Sequence, residues 1–201
     1  MAIRGRWKPL VYTVMLSGFV LGGFLVYGQF VVQRPGGSSM NESRFMVDHV
    51  RLESDKPFED VAKAFERKLG RFDPDVAKPL ISGGDIEGAR AKIEAMAGPS
   101  GFMLFGTQDH GTLLRLAGQK RKAIQYVVGN PLFALQMTQH DIRAGLYAPL
   151  RVLIYEDERG RTCLEYDKPS SLFGQFNDDR IASVASMLDR KLEDLIAKAI
   201  G

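Results

Sequence analysis

Between Lys8 and Arg34 the chain runs for 25 residues without a charged side chain: PLVYTVMLSGFVLGGFLVYGQFVVQ. As a helix rising 1.5 Å per residue, this run would reach roughly 37 Å, enough to cross a hydrocarbon core of ~30 Å with some tilt. Its clearly polar interruptions are Thr13, Ser17 and Gln29, and isolated hydroxyls can bond back to a helix backbone. Trp7, Tyr12 and Tyr27 lie towards the ends, where amphipathic rings favour the headgroup layer. The run predicts a transmembrane helix over 9–33 or a signal peptide, outside the globular core in either case. Val26-Tyr27-Gly28 offers a small residue for cleavage but no A-x-A pattern. The apolar stretch continues through Phe30-Val31-Val32, which favours an uncleaved anchor. Gly18 and Gly22 form one G-x-x-x-G, a spacing that lets two helices approach closely but is common in membrane helices by composition alone.

Orientation follows from charge. Arg4, Arg6 and Lys8 precede the run, and only Arg34 and Arg44 follow closely, so residues 1–8 are expected in the cytoplasm. The remainder is then exported: an inner-membrane, single-pass protein with a periplasmic or otherwise extracytoplasmic domain. Residues 34–43, with Pro35-Gly36-Gly37-Ser38-Ser39, have the composition of a linker. The net charge of +3 misleads, because four of the 27 Lys and Arg residues and none of the 24 acids fall within residues 1–35. Residues 36–201 are therefore close to neutral and lack the cationic excess of a nucleic-acid binder. The short run Lys120-Arg121-Lys122 has no aromatic residues interleaved.

From 44 onwards the periodicities change. Residues 44–53 and 123–128 alternate as strands, and Phe102–Phe105 is a short apolar strand. Two more strands, 149–157 and 161–167, flank Asp157-Glu158-Arg159-Gly160, a hairpin turn. Apolar stripes predict helices over 56–69, capped by Asp55, and over 85–97, capped by Asp85. A helical turn follows near Leu113–Leu116. Asn130 and Pro131 start a helix to about His140, and another spans about 178–199. Residues 71–84, with two prolines and two glycines, read as a loop. The economical packing of this order is an α+β, two-layer sandwich over 44–201, its helices on one mixed or antiparallel sheet.

The ordered succession Gly101-Phe102, Asp109-His110, Gly129-Asn130-Pro131, Leu146-Tyr147-Ala148-Pro149-Leu150, Leu153-Ile154-Tyr155-Glu156-Asp157 and Tyr166-Asp167-Lys168-Pro169-Ser170 resembles the family known as domain of unknown function 302, over about residues 45–200. The resemblance implies a two-layer α/β fold and commonly a homodimer. It implies no reaction, so no catalytic residue is carried over. Many members run directly from the first helix to the Gly-Phe strand, whereas this chain inserts residues 71–97.

Chemistry is thinly marked. The sequence has no P-loop, G-x-G-x-x-G, G-x-S-x-G or H-E-x-x-H motif. His110, after Asp109 at a strand end, is the candidate acid–base residue or metal or haem ligand. The structural alternative makes Asp109 a helix cap, ties His110 to backbone and uses Gly111 for an unusual dihedral. Asn130 offers a cap or an anion-binding helix start. Arg151, Tyr155, Glu156, Glu165 and Tyr166 lie on paired strands and can form a polar pocket or simple cross-strand pairs. The ligand site is expected between their hairpin and the loop at His110. Cys163 reads as a half-buried thiol, and His49, His110, His140 and Cys163 lack metal-ligand spacing. No metal and no cofactor is expected. The resulting expectation is a membrane-anchored, non-catalytic ligand-binding or interaction module. The alternatives are a small envelope enzyme using His110 and a haem- or metal-carrying domain.

Overall fold

The computed structural model describes residues 30–33 and 39–201. The chain divides into two compact units, residues 1–45 and 46–201. In the first, β1 (Phe30–Gln33) pairs antiparallel with β2 (Ser39–Glu42), setting Phe30 opposite Glu42 and Gln33 opposite Ser39. The helix expected over 9–33 therefore does not extend over its last four residues, and the linker expected over 34–43 contains a strand. The β-branched Val31-Val32 pair suits extended backbone. Residues 9–29 of the expected helix lie outside the described residues, and no described helix is long and apolar enough to cross a membrane.

The second unit is an α+β fold with helices packed on a mixed six-stranded sheet. Its strands are β3 (His49–Ser54), β4 (Gly70–Arg71), β5 (Met103–Asp109), β6 (Ala123–Gly129), β7 (Leu150–Glu156) and β8 (Thr162–Asp167). They lie in the order β3-β8-β7-β6-β5-β4, with only the β4–β5 pair parallel. Strands β5 to β8 form an antiparallel meander, and β3 closes its β8 edge.

The helices are α1 (Phe58–Glu66), α2 (Pro74–Ser82), α3 (Ile86–Ala95), α4 (His110–Leu114), α5 (Pro131–Thr138), α6 (Pro169–Phe173) and α7 (Asp179–Ile200). Asp178 starts α7 by accepting from the Arg180 amide at 2.9 Å, which places an acid at the positive end of the helix. The α7 stripe of Ile181, Ala185, Leu188, Leu192 and Leu195 and the α1 stripe of Val61, Ala62 and Phe65 meet Tyr126, Val128, Val152, Ile154 and Leu164 in one core. Tyr126 is fully buried, and its hydroxyl donates to Glu66 Oε1 at 2.8 Å, which satisfies it inside the core.

Several expectations shift. The first strand begins at His49, not 44. Asp55 does not cap α1; Pro57 occupies that position and its carbonyl accepts from the Val61 amide at 3.2 Å. The segment 71–84 is not a loop. It contains the end of β4 and then α2, capped by Asp73 and tolerating Pro79 within it. Proline at the first turn is preorganised for a helix, and the second proline forfeits one backbone bond.

The helices α2 and α3 pack on each other around Ala77, Ile93 and Met103, forming a satellite core beside the main one. Their two ends are pinched together by glycine. A Cβ on Gly70 would fall on the Met96 carbonyl oxygen and lie 2.6 Å from the Gly98 nitrogen. The Gly70 and Gly98 amides both donate to the Phe102 carbonyl, at 2.9 and 3.0 Å. Backbone cannot yield there as a side chain can. Gly98→Ala is expected to destabilise the domain by about 3 kcal/mol, the upper end of overpacking penalties, as read from denaturant unfolding.

Candidate functional site

Three surfaces arise where the sequence placed candidates. The first is the sheet face away from α7. Register sets Arg51, Glu165, Leu153 and Gln125 in one row, with Glu53, Cys163, Tyr155 and Ala123 in the next. Residues directly opposite on neighbouring strands share a face. The Tyr155 hydroxyl donates to Glu165 Oε1 at 2.6 Å, and Arg51 Nε donates to that hydroxyl at 3.2 Å. Burial, then the Glu165 bond, push the Tyr155 phenol up to about 12. Arg51 lies across Cys163, its Nη2 3.3 Å from Sγ, which explains why this thiol is wholly rather than half buried.

His49 completes the ladder, with Nδ1 2.8 Å from Asp167 Oδ1 and Nε2 3.2 Å from Glu165 Oε2. The expected polar set is only partly gathered here. Tyr166 points to the opposite face, 4% exposed in the core, because strand side chains alternate. Arg151 is exposed, and Glu156 bonds Lys122 instead. His49, Arg51 and Asp167 were missed, because β3 pairs with β8 across more than 100 residues of chain and no local spacing announces it.

The second surface is the open depression between the hairpin and the β5–α4 junction, where the ligand site was expected. His110, Leu114, Gln125, Leu153 and Tyr155 line it. His110 is half-buried, and among the described residues it forms no hydrogen bond with a carboxylate or with backbone. Asp109 caps α4, accepting from the Thr112 amide at 2.8 Å and from its hydroxyl at 2.6 Å, so its carboxyl is held low by Thr112. Gly111 serves close packing, not an unusual dihedral: a Cβ there would lie 2.8 Å from the Ala123 nitrogen and 2.9 Å from the Arg121 oxygen.

The third is an apolar cleft of about 200 Å³ at the junction of β6, α5 and β7. Phe72, Phe105, Phe133, Met137, Pro149 and Phe173 contribute to its walls. The Phe72 and Phe105 rings stack at 4.6 Å, and Phe102 meets Phe133 edge-on at 6.3 Å. Asn130 is the polar side chain in its lining, and both ends of its amide are engaged. Oδ1 accepts from the Leu132 amide and Nδ2 donates to the Gly101 carbonyl, each at 2.9 Å. Asn130 therefore builds the cleft rather than reaching into it.

For metal, Glu53, Asp157 and Cys163 bring ligand atoms within 4.8 Å of one another. That space already holds two guanidinium groups. Arg51 lies 3.2 Å from Glu53 and 3.8 Å from Asp157, and Arg161 pairs with both acids. The donor set is thus balanced by cations of the chain itself.

A family model described as "Domain of unknown function DUF302" matches residues 80–199. The chain belongs to this family. The match includes α3, so the second half of the segment expected as an insertion lies within it, while β3 and α1 do not. A solved structure titled "Crystal structure of uncharacterized conserved protein DUF302 from Bacillus stearothermophilus" shares the fold with a TM-score of 0.53 at 16% identity. It covers 75% of this chain and 97% of its own. No curated protein matches. The DUF302 assignment carries fold and no chemistry, so the function of this DUF302 chain rests on its surfaces.

The His49 pairings raise its pKa above the ordinary 6.5, the Asp167 bond contributing most. A raised native value stabilises the fold fully below that ordinary value, and the contribution is lost as pH rises through the native value. His49→Gln should therefore lower the melting temperature more at about pH 5.5 than at about pH 9, by a small margin because the ring is half exposed.

Proposed function

We propose that this DUF302 chain is a membrane-tethered, non-catalytic binding module whose ligand is a small apolar molecule or the hydrocarbon part of a larger one. The apolar cleft carries this reading. Pockets for small ligands are concave and mostly apolar, and a dry cavity of ~150 Å³ lined by aliphatic and aromatic residues takes up benzene. The cleft here is larger, at about 200 Å³, and its one polar side chain is already paired at both ends. A polar ligand would lose its hydration there without compensation, whereas a hydrocarbon would lose nothing.

The tether rests on residues 9–29, the part of the uncharged run that precedes β1, and on the preceding Arg4, Arg6 and Lys8. It places the domain on the extracytoplasmic side of the inner membrane. Binding without turnover agrees with the surroundings of His110, which among the described residues has no carboxylate hydrogen-bonded to it. The polar ladder of the open face is closed upon itself, with Tyr155, Glu165, Arg51 and His49 mutually engaged.

Residues 46–201 contain every member of the main core, from Phe58 to Ala199, so this unit can be tested alone. Straight-chain alcohols of increasing length should raise its melting temperature. Ligand at a hundredfold excess over Kd stabilises by about 2.7 kcal/mol, several degrees for a domain of this size. Ala134→Phe, which puts a ring into the cleft, should abolish the shift while leaving the circular dichroism spectrum native. Absence of any shift in the unsubstituted domain would refute the cleft as a ligand site. Extraction of the full chain at alkaline pH tests the tether separately: the protein should stay in the membrane pellet, and release into the supernatant would refute anchoring.

A further inference from the structure

The turn between β5 and β6 combines two properties that seldom occur together on an exposed surface. Gly111 seats α4 flush on the start of β6, as its backbone contacts require. The chain then closes through the Gly118 amide on the Arg115 carbonyl at 3.0 Å and the Gln119 amide on the Leu114 carbonyl at 3.1 Å. Gly118, at φ 72°, makes the reversal. This fixed turn holds Leu114 partly inward and presents Leu113 and Leu116 to solvent at 60% and 90% exposure. Three residues apart on a helical turn, they lie side by side.

The same turn is cationic. Residues 110–122 hold Arg115, Lys120, Arg121 and Lys122 and no acid. Lys122 is neutralised by Glu59 at 2.5 Å and Glu156 at 3.2 Å, and Arg121 reaches Glu158 at 4.0 Å. Arg115 and Lys120 form no ion pair within 4 Å among the described residues. The neighbouring Asp109, which lines the same cavity and feels the charge of Arg115, caps α4 and forms no ion pair with Arg115 within 4 Å. Arg115 and Lys120 line an open cavity of about 540 Å³ together with Thr112 and Gln119.

We propose that this turn docks on an anionic lipid surface, with Leu113 and Leu116 entering the acyl boundary and Arg115 and Lys120 pairing with phosphate groups. The pairing of charge and apolarity selects this partner. An acidic protein surface would answer the two cations but leave two leucines needing a pocket of their own. A lipid layer answers both within one surface, since apolar side chains insert beneath headgroups while basic residues pair with them. The site stands apart from the apolar cleft and survives if that cleft binds nothing.

The test uses the full chain with an environment-sensitive fluorophore carried at Leu116→Cys. The native Cys163 is fully buried and does not compete for label. Emission should rise and shift to the blue when the protein is reconstituted with, or given further, vesicles of phosphatidylglycerol and phosphatidylcholine. Phosphatidylcholine alone should leave it unchanged, and high salt should reverse the response. Each basic residue near such a surface contributes about fivefold in binding, so Arg115→Glu with Lys120→Glu should weaken the response more than tenfold. The same probe at Leu146→Cys, on another exposed leucine, should stay silent, and circular dichroism should report each variant as folded. No response at Leu116, an equal response on phosphatidylcholine or at Leu146, or indifference to charge reversal would overturn the proposal. A response to poly-glutamate but not to vesicles would overturn it in favour of an acidic polypeptide partner.

Discussion

Burial of one face of the sheet under α7 is the constraint from which the remaining features follow. Ile181, Ala185, Leu188, Leu192 and Leu195 recur at helical spacing and are 3% exposed or less. Truncating any one of the larger side chains would leave a void costing about 2–5 kcal/mol, a large part of the stability of an ordinary domain. Because the meander is antiparallel, its strands alternate, and covering one face obliges the other to be polar or to find another partner. The chain answers with a cross-strand ladder in which Arg51 covers Cys163 and Tyr155 bonds Glu165. The open face thus resembles a catalytic cluster in composition while being satisfied internally.

Much of this was legible from residues whose action is local. Asn130-Pro131 specifies a cap followed by a fixed φ, and a helix begins there. Asp109 lies three residues before Thr112 and caps α4. The stripe over 179–200 could pack only along one side. What could not be read depends on partners distant in the chain. β3 pairs with β8, so His49 meets Asp167 although 118 residues separate them. The cleft draws Phe72, Phe105, Phe133, Pro149 and Phe173 from five elements or their borders, and none of them carries a local signature. Pro79 and the Gly83-Gly84 pair concealed α2, since an internal proline forfeits a backbone bond, although Asp73-Pro74 carries the same cap-then-proline signal as Asn130-Pro131. The β1–β2 pairing shows how β-branched residues at the end of an apolar run can be taken up by a strand.

The functional picture follows from what each polar group already does. His110 was the natural candidate for acid–base work, but the carboxylate beside it in sequence caps a helix. The histidine that does meet carboxylates, His49, is held in a ladder whose members are all engaged. Asn130 is consumed by the turn it builds. The apolar cleft and the amphipathic turn at Leu113–Leu116 are surfaces whose apolar side chains stay accessible among the described residues. One favours hydrocarbon in a small open cleft, and the other favours a charged, soft surface.

The most direct test of this account is amide hydrogen exchange on residues 46–201 with and without a saturating straight-chain alcohol. Slowed exchange should concentrate in Gly129–Met137 and Leu150–Val152, the backbone that frames the cleft, and Ala134→Phe should remove it. Protection confined instead to β3 and β8, or none at all, would show that the apolar cleft is packing and that the ligand surface of this domain lies elsewhere.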